Sequence, residues 1–209
     1  NYNKYKNKTR IMDIDINIPN DEIWYTTIDR NIVNNNTDYL YTSGNKIVNN
    51  KYVGAHGIIK FKNQVDKIWI NAFKECENLN ELYFPKSIRE IDQLAFFKCT
   101  NLKKVYGIEN VVHFGNSAFS KSGIKEIIIN RIARISSFCF EDCKELRAVY
   151  LFGLSQHMNS FIFPGCDNIK SVYVVCSSPI DISKTNVKEI LLDEITGEYR
   201  DAEVRQIFG

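Results

Sequence analysis

No charge of one sign dominates this chain. Its 209 residues carry Lys+Arg 27 against Asp+Glu 25, a net charge of +2, well short of the basic excess of a typical nucleic-acid or anionic-membrane binder. No run of about 18 apolar residues occurs, so no transmembrane helix is expected. The opening NYNKYKNKTR is polar and basic with no apolar stretch behind it, so no signal peptide is expected at this start. Catalytic signatures are missing too. There is no P-loop, G-x-G-x-x-G or EF-hand loop, and GLSQH at 153–157 fails the G-x-S-x-G pattern. Asp and Glu are spread over turn positions, so no carboxylate pair stands out for acid–base work. What is there is ordinary globular material, 44% hydrophobic and 25% charged, which excludes a wholly disordered chain.

The chain repeats itself. Ala72-Phe73, Cys76 and Leu79 recur 23 residues later as Ala95-Phe96, Cys99 and Leu102. A further step of 23 reaches Ala118-Phe119, with Ser122 in the cysteine position. Cys139-Phe140, Cys143 and Leu146 follow, then Ile162-Phe163, Cys166 and Ile169; the step from Phe119 to Phe140 is 21, so one turn is shortened. After each anchor comes a short alternating apolar run: NELYFP, KKVYG, KEIIIN, RAVYLF, KSVYVV. Such runs read as strands with one buried face. A unit this small cannot bury that face alone, so neighbouring units must stack and align their strands in parallel.

The copy Leu79-Asn80-Glu81-Leu82-Tyr83-Phe84-Pro85…Ile88…Ile91…Ala95-Phe96…Cys99…Leu102 resembles the BspA-like, or Treponema pallidum-type, leucine-rich repeats. The opening IWYTTIDRNIV…GNKIVNNKYVGAHGIIKF is similar to the N-terminal segments of such proteins from gut Bacteroidetes. The copies are degenerate: the strand-end proline survives only as Pro85, and the glycine after the second Ile only as Gly115. The resemblance implies a mostly-β repeat solenoid, a right-handed β/α arc with a parallel concave sheet, an N-terminal β-hairpin cap and a C-terminal strand–helix cap. Residues 1–19 read as a polar lead, 20–56 as the N-terminal cap, 57–176 as about five repeats plus a final strand, and 177–209 as the C-terminal cap. In that last segment Ile190 and Leu192 suit a short strand, and Thr196 suits the cap of a helix holding Tyr199, Ala202 and Ile207 on one side.

The family pattern puts Cys76, Cys99, Cys143 and Cys166 inside, where they act as small hydrophobes. Disulfides 76–99 or 143–166 are a second reading, since adjacent rungs sit roughly 5 Å apart. Cys139 and Cys143 have C-x-x-x-C spacing, but both fall on core positions and no second pair has ligand spacing. His113, Arg134 and His157 lie six residues before a repeat phenylalanine and should form one column. A guanidinium between two imidazoles opposes metal binding. No metal, no cofactor and no catalysis are expected.

The residue type that points to function is tyrosine. The middle, outward residues of the strands are Lys60, Tyr83, Tyr106, Ile128, Tyr150 and Tyr173; beside them run Ile58, Glu81, Lys104, Glu126, Ala148 and Ser171. Tyrosine gives large contact area at low entropy cost, which suits a protein-binding surface. The same rings also stabilise neighbouring strands without binding anything. The partner-binding set expected here is Tyr83, Tyr106, Ile128, Tyr150, Tyr173, Lys60, Glu81, Lys104 and Glu126. The resemblance implies an exported monomeric bacterial protein, secreted or on the outer cell surface, that binds a protein partner in adhesion or host contact. Glycan capture by the same strip and a purely structural spacer are the alternatives.

Overall fold

The computed structural model of the chain describes residues 17–33, 45–129, 133–152, 162–169, 171–175 and 189–192. These form a mostly-β solenoid. Each alternating run becomes a strand: β5 (Leu79–Tyr83), β7 (Lys104–Tyr106), β9 (Glu126–Ile129), β11 (Ala148–Phe152) and β12 (Ser171–Val175), and β13 (Glu189–Leu192) follows them. Repeat strands that pair do so in parallel, with equivalent residues opposite: Leu82 faces Val105, Val149 faces Ile127, and Val172 faces Ile190. Leu82, Val105, Ile127 and Val149 are buried in the core. Burial of this alternate face is what sets the register.

The strands fall into two sheets, one ending at β7 and one beginning at β9. Directly after Tyr106, Gly107 takes φ 81 and the chain enters a 3₁₀ turn, Ile108–Asn110, whose Ile108 is buried. A Cβ at Gly107 would sit 2.6 Å from the Phe84 carbonyl oxygen, so only glycine fits this turn. The column stays connected across the break by a backbone bond from Lys125 N to Lys103 O, 3.4 Å.

The opposite side is a sheet of two-residue strands: β4 (Lys67–Ile68), β6 (Glu90–Ile91), β8 (His113–Phe114) and β10 (Arg134–Ile135). Ile68, Ile91, Phe114 and Ile135 point inward from them. Between this sheet and the next long strand runs the Ala-Phe turn. Each such turn holds two left-handed residues, Asn71 and Glu75, Leu94 and Lys98, Ser117 and Lys121, Phe138 and Asp142. A left-handed residue cannot continue a right-handed helix. The helical half of the expected β/α unit is accordingly replaced: among the described residues there is no α-helix. The short strand anticipated around Ile190 and Leu192 is β13. The helix anticipated from Thr196 lies outside the described residues.

The core is a stack of rungs. Phe73, Phe96, Phe119, Phe140 and Phe163 lie face to face at 5.2, 4.9, 5.4 and 5.3 Å between ring centroids. The thiols form a parallel ladder in which each S–H donates to the phenylalanine carbonyl one rung back: Cys99 to Phe73 O at 2.9 Å, Cys143 to Phe119 O at 3.1 Å, Cys166 to Phe140 O at 2.8 Å. Cysteine suits the position because it is small and apolar yet carries a weak donor. Cys76, Cys99, Cys139, Cys143 and Cys166 are all buried and none is joined in a disulfide. Burial pushes the Cys76 thiol up to about 12 and raises those of Cys99 and Cys139. Buried protonated thiols react slowly. Alkylation with iodoacetamide, read by mass spectrometry, should label none of the five in the native protein and all of them in denaturant; rapid native labelling of Cys99 would contradict this ladder.

At the N-terminal end, β2 (Ile47–Val53) and β3 (His56–Phe61) form an antiparallel hairpin. The earlier strand β1 (Glu22–Thr27) inserts between β3 and β5, antiparallel to both. This corrects the placement of Lys60. Its strand has the alternation of a repeat strand, but β1 separates it from β5. Lys60 stands opposite Glu22 and is not the rung beside Tyr83.

Candidate functional site

The outward column is an aromatic row. Trp24 on β1 stands opposite Tyr83, which stands opposite Tyr106 on β7. Further along, Ile128 faces Tyr150, and Tyr150 faces Tyr173. Tyr83 stacks on Tyr106 at 4.6 Å with 10° between planes. His56 meets Tyr83 edge-on at 5.3 Å and Trp24 at 5.7 Å. Two members are less available than their place in the column suggests. Tyr83 is 6% exposed and Ile128 4% exposed, although both lie outside the core cluster. They floor the strip, while Trp24, His56, Tyr106 and Tyr150 are half-buried and reach its surface.

Charged residues rim the row. Glu22 accepts from Trp24 Nε1 at 2.7 Å and pairs with Lys60, which also pairs with Asp21, each at 3.0 Å. Glu81 accepts from the Tyr83 hydroxyl at 2.7 Å. Burial and this carboxylate hold the Tyr83 phenol well above its usual range. Burial, then Glu81 and Glu126, push Tyr106 up as well. Lys104 stands opposite Glu81. Burial raises the Glu126 carboxyl, with Lys104 pulling the other way. Both tyrosines thus stay neutral hydroxyls, able to donate and to accept.

The row joins residues that spacing alone separates. Tyr83 and Tyr106 come together as anticipated, and so do Ile128, Tyr150 and Tyr173 in register. Trp24 and His56 were not anticipated, because they arrive on cap strands whose pairing no repeat period encodes. Elsewhere, His113 stands between Glu90 and Arg134 in the short-strand sheet, as its spacing from the repeat phenylalanine implies for Arg134; His157 lies outside the described residues. Lys67 closes that column by pairing with Glu90 at 3.4 Å and Asp92 at 3.0 Å. Among the described residues no group of three or more His, Cys, Asp or Glu is placed to hold a metal ion. No helix among them is long and apolar enough to cross a membrane.

The family model for the BspA type leucine rich repeat region matches residues 58–187, in 6 copies. No curated protein matches the chain. Among solved structures the chain is similar to the crystal structure of a leucine-rich repeat protein from Bacteroides ovatus, at 23% identity and a TM-score of 0.38, over 61% of this chain and 38% of that one.

Proposed function

This chain belongs to the family of BspA type leucine-rich repeats, and from that premise we propose that it is a non-catalytic binding module for a protein partner. The observation that carries the reading is the aromatic row. Trp24, His56 and Tyr106 reach the surface of one sheet on a floor of Tyr83, and Tyr150 reaches that of the adjoining sheet beside Ile128. Rigid aromatic side chains already ordered by stacking lose little entropy when a partner covers them. Glu81, Lys104 and Glu126 supply polar rim contacts of both signs, which fix orientation more than they add affinity. Tyr173, in register with Tyr150, extends the same set. We place the module outside the cell or on the outer surface, in adhesion or host contact.

Surface plasmon resonance against immobilised extracellular-matrix and mucus proteins tests this. Tyr106→Ala with Tyr150→Ala should weaken capture at least tenfold, since buried aromatic anchors typically contribute about 2 kcal/mol or more each. The melting temperature should move by only a few degrees. Undiminished capture by a destabilised double variant would reduce the row to a structural role. Capture of neutral oligosaccharides in place of proteins, lost in the same variant, would transfer the strip to glycans.

A further inference from the structure

A second surface, separate from the aromatic row, lies on the edge where each turn leads into its long strand. Two successive rungs concentrate lysine there. Lys98 and Lys121 occupy equivalent left-handed turn positions. Lys103 and Lys125 occupy equivalent positions just before their strands and are joined by a backbone bond from Lys125 N to Lys103 O. All four are exposed. Lys98 and Lys121, with Lys74 from the preceding rung, gather around the Phe97 ring at 5.3, 5.9 and 5.8 Å. Lys98 pairs with Glu75 at 3.2 Å. Lys103, Lys121 and Lys125 make no ion pair among the described residues. Adjacent rungs are about 5 Å apart, and like charges directly opposite one another destabilise a sheet. Cation–π contact with a single ring offsets that repulsion only in part.

The two rungs approach closely at the centre of the patch, where Gly123 packs against the Thr100 backbone. The turn between Lys121 and Lys125 is one residue shorter than its neighbours and carries Gly123 where they carry side chains. Acids bound its turn column on both sides, Glu75 on the preceding rung and Asp142 on the following one, while exposed Arg147 continues the Lys103–Lys125 column. A nucleic-acid duplex, much wider than two rungs, would lie over those acids. A thin single chain bearing anionic groups can run along the two rungs between them.

We infer that Lys98, Lys103, Lys121 and Lys125 form a binding site for a polysaccharide carrying sulfate or carboxylate groups. Such a ligand supplies the missing counter-charges and releases the repulsion between rungs. This site does not depend on the aromatic row, and its test is independent of it.

The probe is dextran sulfate, with neutral dextran of the same length as control, titrated calorimetrically at several salt concentrations. Dextran sulfate should bind with an affinity that falls steeply as salt rises, and dextran should not bind. Lys103→Gln with Lys121→Gln and Lys125→Gln should lower affinity at least tenfold while leaving the melting temperature unchanged or raised. Lys46→Gln with Lys51→Gln and Lys62→Gln removes the same charge elsewhere and should leave affinity within about twofold. Tyr106→Ala should also leave it unchanged, so failure of the aromatic reading and failure of this one give different results. Equal loss in both lysine triples would mean only diffuse attraction to net charge and would overturn the site. So would absence of binding, or tighter binding of poly-glutamate or single-stranded DNA at matched charge.

Discussion

Phe96→Ala should destabilise the protein by about 3–5 kcal/mol, the usual cost of truncating a fully buried phenylalanine. The position lies inside the stack, not at its end. Phe96 has rings on both faces, Phe73 at 5.2 Å and Phe119 at 4.9 Å, and Phe84 tilted against it at 6.2 Å. Truncation therefore removes the transferred ring and two stacked pairs at once. The cavity cannot close easily, because the backbone on either side is fixed by inter-rung bonds, Phe73 N to Ala95 O and Phe96 N to Ala118 O, 2.8 and 2.7 Å. In a solenoid each unit is stabilised mainly through its two neighbours. Loss at a middle rung therefore threatens to uncouple the ends as well as weaken the whole. Urea denaturation followed by circular dichroism should show a lower midpoint and, in Phe96→Ala alone, a broadened or split transition. Phe96→Leu keeps most of the volume and should cost less than about 2 kcal/mol with a single transition retained. A loss below about 1 kcal/mol in Phe96→Ala would mean that the phenyl stack is not the spine of the fold.

That spine was readable because one period fixes everything in it. Phenylalanines recurring at 23 residues, and once at 21, can stack only if the rungs superpose, and the thiols and leucines follow with them. The aromatic row was half readable. Strand alternation assigns Tyr83 and Tyr106 to the outer face and puts them in register, but it carries no information about what covers a residue. Tyr83 and Ile128 are consequently more buried than an outward position suggests. Nor does alternation say which strand lies next door when the pairing is long-range. β1 and β3 have the same two-residue period as the repeat strands, so alternation alone sets Lys60 beside Tyr83 and does not bring Trp24 and His56 to the row. The left-handed turn residues escaped for another reason. Most are Glu, Lys, Asp, Ser or Leu rather than glycine, and backbone bonds between rungs and within each turn hold them there. Together they account for the turns that stand where helices were expected.

The shortened turn yields the second large effect: Gly123→Ala should cost about 3 kcal/mol, the upper part of the range for forcing extra atoms into a packed site. Elsewhere two residues separate the cysteine from the following leucine or isoleucine, as Thr100-Asn101 do; between Ser122 and Ile124 there is only Gly123. The chain must cut the corner, and Gly123 N bonds to Cys99 O at 3.1 Å. A Cβ on Gly123 would lie 2.1 Å from the Thr100 carbonyl oxygen and 2.9 Å from its carbon. Those are backbone atoms of the preceding rung, which cannot rotate away as a side chain could. Gly54 is the control. It needs glycine for its φ of +62 and has nothing within 4 Å of the added atom, so Gly54→Asn, which tolerates that conformation, should be nearly neutral. Restoring the lost residue separates sterics from any other cause. Inserting an asparagine after position 123 in the Gly123→Ala variant rebuilds the two-residue spacing of the other turns and should recover most of the stability. If the insertion leaves the loss unchanged, close approach of the two rungs is not why glycine stands there.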